Sequence, residues 1–127
     1  MAREIPWQDL SSSIAEILGE VKHASDEALS GAVRGGCAES KAEWRDNAPP
    51  GATGEYAKSI TYRVTGSGDS IEGHVYSRQP GLPHLLEFGH AKVGGGSTTP
   101  KPHVADAAKS GFEKAESTLD ELLGEYL

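Results

Sequence analysis

Asn47-Ala48-Pro49-Pro50-Gly51-Ala52-Thr53-Gly54 is the stretch on which the fold turns. Consecutive prolines remove backbone donors and fix φ, and the glycines around Ala52-Thr53 free it, so no helix runs through. The segment reads as a rigid elbow between a helical first part and a mixed second part.

Upstream of the elbow, Leu10, Ile14, Ile17, Val21, Ala24 and Ala28 recur at three-and-four spacing, which stacks side chains on one helical face. Ala32, Val33, Cys37, Ala38, Ala42 and Trp44 continue the pattern. Asp9 and the serines Ser11, Ser12 and Ser13 are N-cap candidates. Gly31, Gly35 and Gly36 each weaken a helix by roughly 1 kcal/mol relative to alanine. The expectation is one long helix with a possible bend near Gly35, ending about Asp46.

Downstream, Tyr56, Ile60, Tyr62 and Val64 mostly alternate with Ala57, Ser59, Thr61 and Arg63, the period of a half-buried strand. Thr65-Gly66-Ser67-Gly68-Asp69-Ser70 is a turn, after which Ile71, Gly73 and Val75 alternate with Glu72, His74 and Tyr76. The two strands predict a hairpin. Pro83-His84-Leu85-Leu86-Glu87-Phe88 begins with a proline suited to a first helical turn and ends at Gly89, a good C-cap. Ala91-Lys92-Val93 is a brief strand candidate, and Gly94-Gly95-Gly96-Ser97-Thr98-Thr99 has little to bury, so 91–100 is expected to be a flexible loop. After Pro100 and Pro102, Val104, Ala107, Ala108, Gly111, Phe112, Ala115, Leu119, Leu122, Leu123 and Tyr126 mark a second long amphipathic helix. The order gives an α+β fold: a long N-terminal helix, a small antiparallel sheet with hairpin and short helix, and a long C-terminal helix packed on the sheet. Its 127 residues predict one domain, with 1–9 as an N-terminal arm.

Hydrophobic residues make up 36% and aromatics 6%, enough for a modest core that partner subunits could complete. The net charge of −7 disfavours wrapping by DNA, so a conventional DNA binder is not expected. The charge is uneven: residues 1–55 carry ten acids and five bases, 56–103 three and five, and 104–127 six and two. Cys37 is the single cysteine, so no internal disulfide forms, which fits assembly in a host cytoplasm. Glu4, Asp9 and the lack of an apolar run argue against a secretion signal over 1–10, and no stretch of about 18 apolar residues predicts a membrane span.

Several constellations invite a chemical reading. His84, Glu87, His90 and His103 are ligand types for zinc, but Gly89 ends the helix before His90, and the two-histidine hydrolase spacing is missing. Solvated or interface histidines are the plainer reading, with a small metal-dependent enzyme as the competing one. Cys37 sits among small apolar neighbours as a structural thiol, and Ser59 and Ser77 lack a nucleophile elbow. Gly94-Gly95-Gly96 between Lys92 and Lys101 offers weak anion contact at most, because two prolines separate it from the next helix. Glu87 has no second carboxylate near it in sequence and reads as a salt bridge or cap. Trp7 has few apolar neighbours in its segment and is the better interface anchor, whereas Trp44 is as readily a core plug.

The order of a long helix, Ala48-Pro49 with Thr53-Gly54, a strand containing Ser59-Ile60, Leu86-Glu87-Phe88-Gly89, a glycine-rich loop and Pro100-Lys101-Pro102 before a final helix resembles the tail-completion proteins of long-tailed bacteriophages. These are also described as minor capsid, neck or head-tail joining proteins. The resemblance spans roughly 21–123 and rests on order and spacing. It departs at His90, where threonine is frequent, and at Lys101-Pro102-His103, where arginine, proline and phenylalanine are common. It implies a virion subunit, without catalytic residues or cofactor, joining the tail tube protein to the head connector or stopper. The implied assembly is a homo-oligomeric ring, a hexamer in the particle, through which DNA passes without sequence recognition. A ring needs two unlike surfaces per subunit. The expected contacts are Trp7, the hairpin tip at Gly66, Ser67, Gly68 and Asp69, the turn at Glu87 and Phe88, Lys92, Gly94, Gly95 and Gly96 of the loop, and Lys101 and His103. A toxin-antitoxin or regulatory module fits only the size and charge.

Overall fold

A computed structural model describes residues 10–49, 54–79, 81–92 and 94–126, with the side chains of 10–13 and 126 outside that description. The three-and-four spacing upstream of the elbow becomes α1, Leu10–Asn47, a single helix of 38 residues. The final amphipathic run becomes α4, Val104–Tyr126. Between them lie α2 (Glu55–Ser59), β1 (Ile60–Thr65), β2 (Glu72–Ser77) and α3 (Leu82–Phe88). The fold is α+β, with the two strands paired antiparallel from Ile60 opposite Ser77 to Thr65 opposite Glu72.

The segment at 55–59 differs from the sequence reading. The strand expected from Tyr56 starts only at Ile60, and 55–59 is a helical turn. Tyr56, Ser59 and Ile60 are all buried, and a spacing of three and four on one face belongs to a helix, not a strand. Gly54, at φ 68°, starts this turn in the left-handed region. Ser59 Oγ donates to the Tyr56 carbonyl and accepts from Ser77 Oγ at 2.7 Å, which in turn accepts the Gln79 amide at 3.1 Å. That chain ties the helical turn to the end of β2.

α4 runs antiparallel along α1, and the glycines that looked like weak points in α1 make the crossing. A Cβ on Gly36 would lie 2.8 Å from the Gly111 carbonyl oxygen, and one on Gly111 would lie 2.9 Å from the Gly36 oxygen and 2.8 Å from Ser40 Cβ. Both positions therefore admit only hydrogen, and the backbones touch. The helix penalty is met by closer packing elsewhere along the seam, where Ala28, Ala32 and Ala107 are buried.

The hairpin lies on α1 through its inward face, where Tyr62, Val64, Gly73 and Val75 alternate with outward Arg63, His74 and Tyr76. The core is centred on Trp44, Tyr56, Ile60 and Ala107, with Val75, Leu82, Leu86 and Val104 packed around it. α4 meets the sheet at this core, through Val104 and Ala107. Arg45 fastens the end of α1 to the start of β1: its Nε and Nη2 donate to the Ile60 carbonyl at 2.9 and 2.6 Å. Among the described residues no helix is long and apolar enough to cross a membrane.

Candidate functional site: the junction of four helices

Trp44, Tyr56, Glu87 and His103 come from α1, α2, α3 and the residue before α4, and they converge at the bottom of the core. Glu87 is 7% exposed and His103 2% exposed, so both face inward. The Glu87 carboxylate accepts the amides of His103 at 2.5 Å and Val104 at 2.9 Å on Oε1, and of Ala105 at 3.1 Å on Oε2. These are unsatisfied donors at the start of α4, and an anion there also meets the positive end of the helix dipole. Glu87 is thus the N-cap of a helix that begins 17 residues later.

Burial by itself raises the Glu87 pKa, but the three amides and the nearby imidazole outweigh it and hold the carboxyl below the ordinary glutamate value. His103 Nδ1 lies 2.7 Å from the Lys101 carbonyl, which only accepts, so Nδ1 carries a proton. It also lies 3.3 Å from Glu87 Oε1. In the neutral ring Nε2 is then the acceptor for the Tyr56 hydroxyl at 2.7 Å, and that hydroxyl accepts the Trp44 Nε1 proton at 2.9 Å. The polar relay Trp44 to Tyr56 to His103 to Lys101 is complete in one direction. Burial pushes the Tyr56 phenol up, against the Trp44 hydrogen bond and together with the Glu87 charge. Among the described residues no buried side-chain nitrogen or oxygen lacks a partner.

A hydroxyl, an imidazole and a carboxylate in a row resemble a nucleophile relay in composition alone. Tyr56 is buried, its phenol is held in the protonated form, and the carboxylate spends its acceptors on backbone amides. The geometry stabilises a fold junction and leaves no reacting atom open to a substrate.

The histidines expected as alternative ligands do not assemble. His84 stacks at a tilt on Phe88 at 4.9 Å, and His90 binds Thr98 through its amide and ring. Only Glu87 and His103 of that set meet, and among the described residues no three His, Cys, Asp or Glu side chains come together to hold a metal ion. Cys37 is buried and burial raises its thiol pKa, as a structural thiol requires.

Two expected contact residues must be corrected. Glu87 and His103 are not offered to a partner, because the cap and the relay consume them inside the subunit. The cap reading of Glu87 holds. The remaining expected residues stay at the surface: Gly66, Ser67 and Asp69 are exposed, with Gly68 half-buried against Asp26 of α1. Phe88 is 65% exposed, and Lys92, Gly94, Gly95, Gly96 and Lys101 are exposed. Trp7, like the rest of the 1–9 arm, lies outside the described residues, as do Val93 and the elbow residues 50–53.

The loop expected to be unstructured is a hydrogen-bonded arch. Ala91 bridges Ser97, the Thr98 amide donates to the His90 carbonyl at 2.8 Å, and the Lys92 amide donates to Gly96 at 3.0 Å. Gly89 turns the chain into it at φ 75°, and a Cβ there would meet the Thr98 carbonyl at 2.6 Å, so only glycine fits. The Lys101 amide then donates to the Leu86 carbonyl at 2.8 Å, returning the chain to α3 and setting His103 beside Glu87. The glutamate-phenylalanine-glycine turn is therefore a device for placing a cap. No family model, curated protein or solved structure matches this chain.

Proposed function

We propose that this chain is a non-enzymatic virion assembly subunit that joins the tail tube of a long-tailed bacteriophage to the head connector as one member of a ring. The observation that carries the reading is how the side chains are divided. The polar constellation with the right chemistry for catalysis is spent on holding α4 in place, while Leu18, Phe88 and Phe112 and the glycine-rich arch stand outside. The motif order from Ala48-Pro49 to Pro100-Lys101-Pro102 supplies the particular assembly. The acidic balance suits a lumen through which DNA slides without sticking.

The test is to mix the purified chain with tail tubes and with connector complexes and to image the products by negative stain. Rings seated at a tube end or on a connector are expected. A chain that binds neither partner overturns the proposal.

A further inference from the structure

We infer that residues 4–8 of one copy add as a third, antiparallel strand to the open edge of β2 in a second copy. The hydrogen-bond phase of the hairpin defines that edge. The Arg78 amide donates to the Ser59 carbonyl at 2.9 Å, which makes these two a bonded pair, and bonded pairs recur at every second position of the register. His74 and Tyr76 therefore turn their backbone groups toward β1, whereas Gly73 and Val75 turn theirs away from it. The same phase turns the Ile60 carbonyl off the other edge, where Arg45 takes it. Among the described residues nothing bonds the outward N–H and C=O groups of Gly73 and Val75. Donors and acceptors at strand spacing are a template for an extended segment. Space lies beside them: Gly73 and Val75 wall an apolar cleft of about 380 Å³, with Ala108, Phe112 and Ala115 of α4 opposite.

The start of the chain matches this edge in sequence. With Ile5 opposite Val75 and Trp7 opposite Gly73, both backbones bond to β2 and both side chains enter the cleft, because directly opposed residues share a face. Pro6 then lies opposite His74, where the N–H it lacks would point away from β2, so no bond is lost. A shift by one residue turns Ile5 and Trp7 outward and puts Pro6 at a bonding position, so two independent features select one phase. The outer face agrees. Glu4 lies opposite Tyr76, over which Arg63 sits at 5.7 Å, and diagonal to His74, while the uncharged Gln8 lies opposite Glu72.

The donor must be another copy. A side chain on Gly73 would strike Val33 and Cys37, so this edge lies over Val33, about 35 Å along α1 from Leu10. Trp7 is three residues from Leu10 and reaches at most about 11 Å. Donor segment and acceptor edge are different surfaces, so the contact is heterologous and propagates into a ring or a filament. It deepens the ring reading above and rests on it only for closure.

The experiment uses the full chain and the variants Ile5→Pro, Trp7→Pro and Pro6→Ala, none of which alters a residue of the helices or strands described above. Light scattering after size exclusion reads the mass, and amide hydrogen exchange reads the edge. The parent is expected above its one-chain mass of 13.4 kDa, with the Gly73 and Val75 amides protected. Ile5→Pro and Trp7→Pro each remove a donor to β2 and should return the chain to the one-chain mass with those two amides unprotected. The His74 and Tyr76 amides, bonded to β1, should stay protected in every variant. Pro6→Ala should match the parent in both readouts. The inference is overturned by an Ile5→Pro chain that assembles and protects like the parent, or by a Pro6→Ala chain that dissociates. A parent that stays at the one-chain mass up to millimolar concentration, or that leaves Gly73 and Val75 unprotected, also overturns it. The imaging with tail tubes reports on the ring reading separately.

Discussion

At its C-terminal end α1 buries Trp44 beneath Tyr56, Ile60 and Ala107, and among the described residues no buried side-chain nitrogen or oxygen lacks a partner; at its N-terminal end Ile14, Leu18 and Val21 of the same helix stand in water. Amphipathic spacing is equally good in both halves, so periodicity does not tell them apart. What separates them is whether another element of the same chain arrives to cover the face. α4 lines the inner half from Ala28 to Trp44 and leaves the outer half bare. One face thus serves folding at one end and meets solvent at the other.

The strongest way to break that contrast is at the cap. Glu87→Ala removes the acceptor for three amides at the start of α4 and should cost about 3–4 kcal/mol, measured by urea unfolding. Glu87→Gln keeps an oxygen and should cost less. The parent should also lose stability with acid. A carboxyl held below its unfolded pKa stabilises the fold above that unfolded value, near 4.3, and the contribution fades as pH falls through the lower folded value. Unfolding midpoints between about pH 5 and pH 2 should show this slope in the parent and a flatter one in Glu87→Gln. An unchanged slope would remove Glu87 from the account.

Next in size is Gly111→Val, which drives a branched side chain into the Gly36 carbonyl and Ser40. A loss of about 2–3 kcal/mol is expected in the same unfolding experiment, against the gain that a glycine replacement gives in an open helix. His103→Phe should cost about 1–2 kcal/mol. The ring fits beside Trp44 and Tyr56, which it meets edge-on, but the Tyr56 hydroxyl loses its acceptor. Smallest is Leu18→Ser, which should shift stability by no more than about 0.5 kcal/mol because the residue is already 63% exposed. A large loss there would mean that the outer half of α1 is part of the folding unit, and the contrast would fail.

The helices and the hairpin were legible because their signals are local. Leu10 to Trp44 carries its own periodicity, and Thr65 to Ser70 carries its own turn residues. The helical turn at 55–59 was misread because alternation over so few residues also matches a face spaced by three and four. Gly36 and Gly111 were legible only as weak helix positions, since the benefit of a missing side chain lies in a partner 75 residues away. The site shows the same limit. Glu87 was readable as a cap, yet nothing near it announces that the capped helix starts at Val104, or that His103 joins Tyr56 and Trp44. Those partners meet only when the arch at 90–98 folds the chain back.

The contact of Gly36 with Gly111 also fixes how far α1 extends. Sliding α4 by one residue would bring Ser110 or Phe112 to a spot that admits a hydrogen atom and nothing larger. The crossing therefore works as a detent, and the span from it to Leu10, about 39 Å of helix, is a fixed length. On the ring reading proposed above, copies built on such a ruler would place their tips at one common radius.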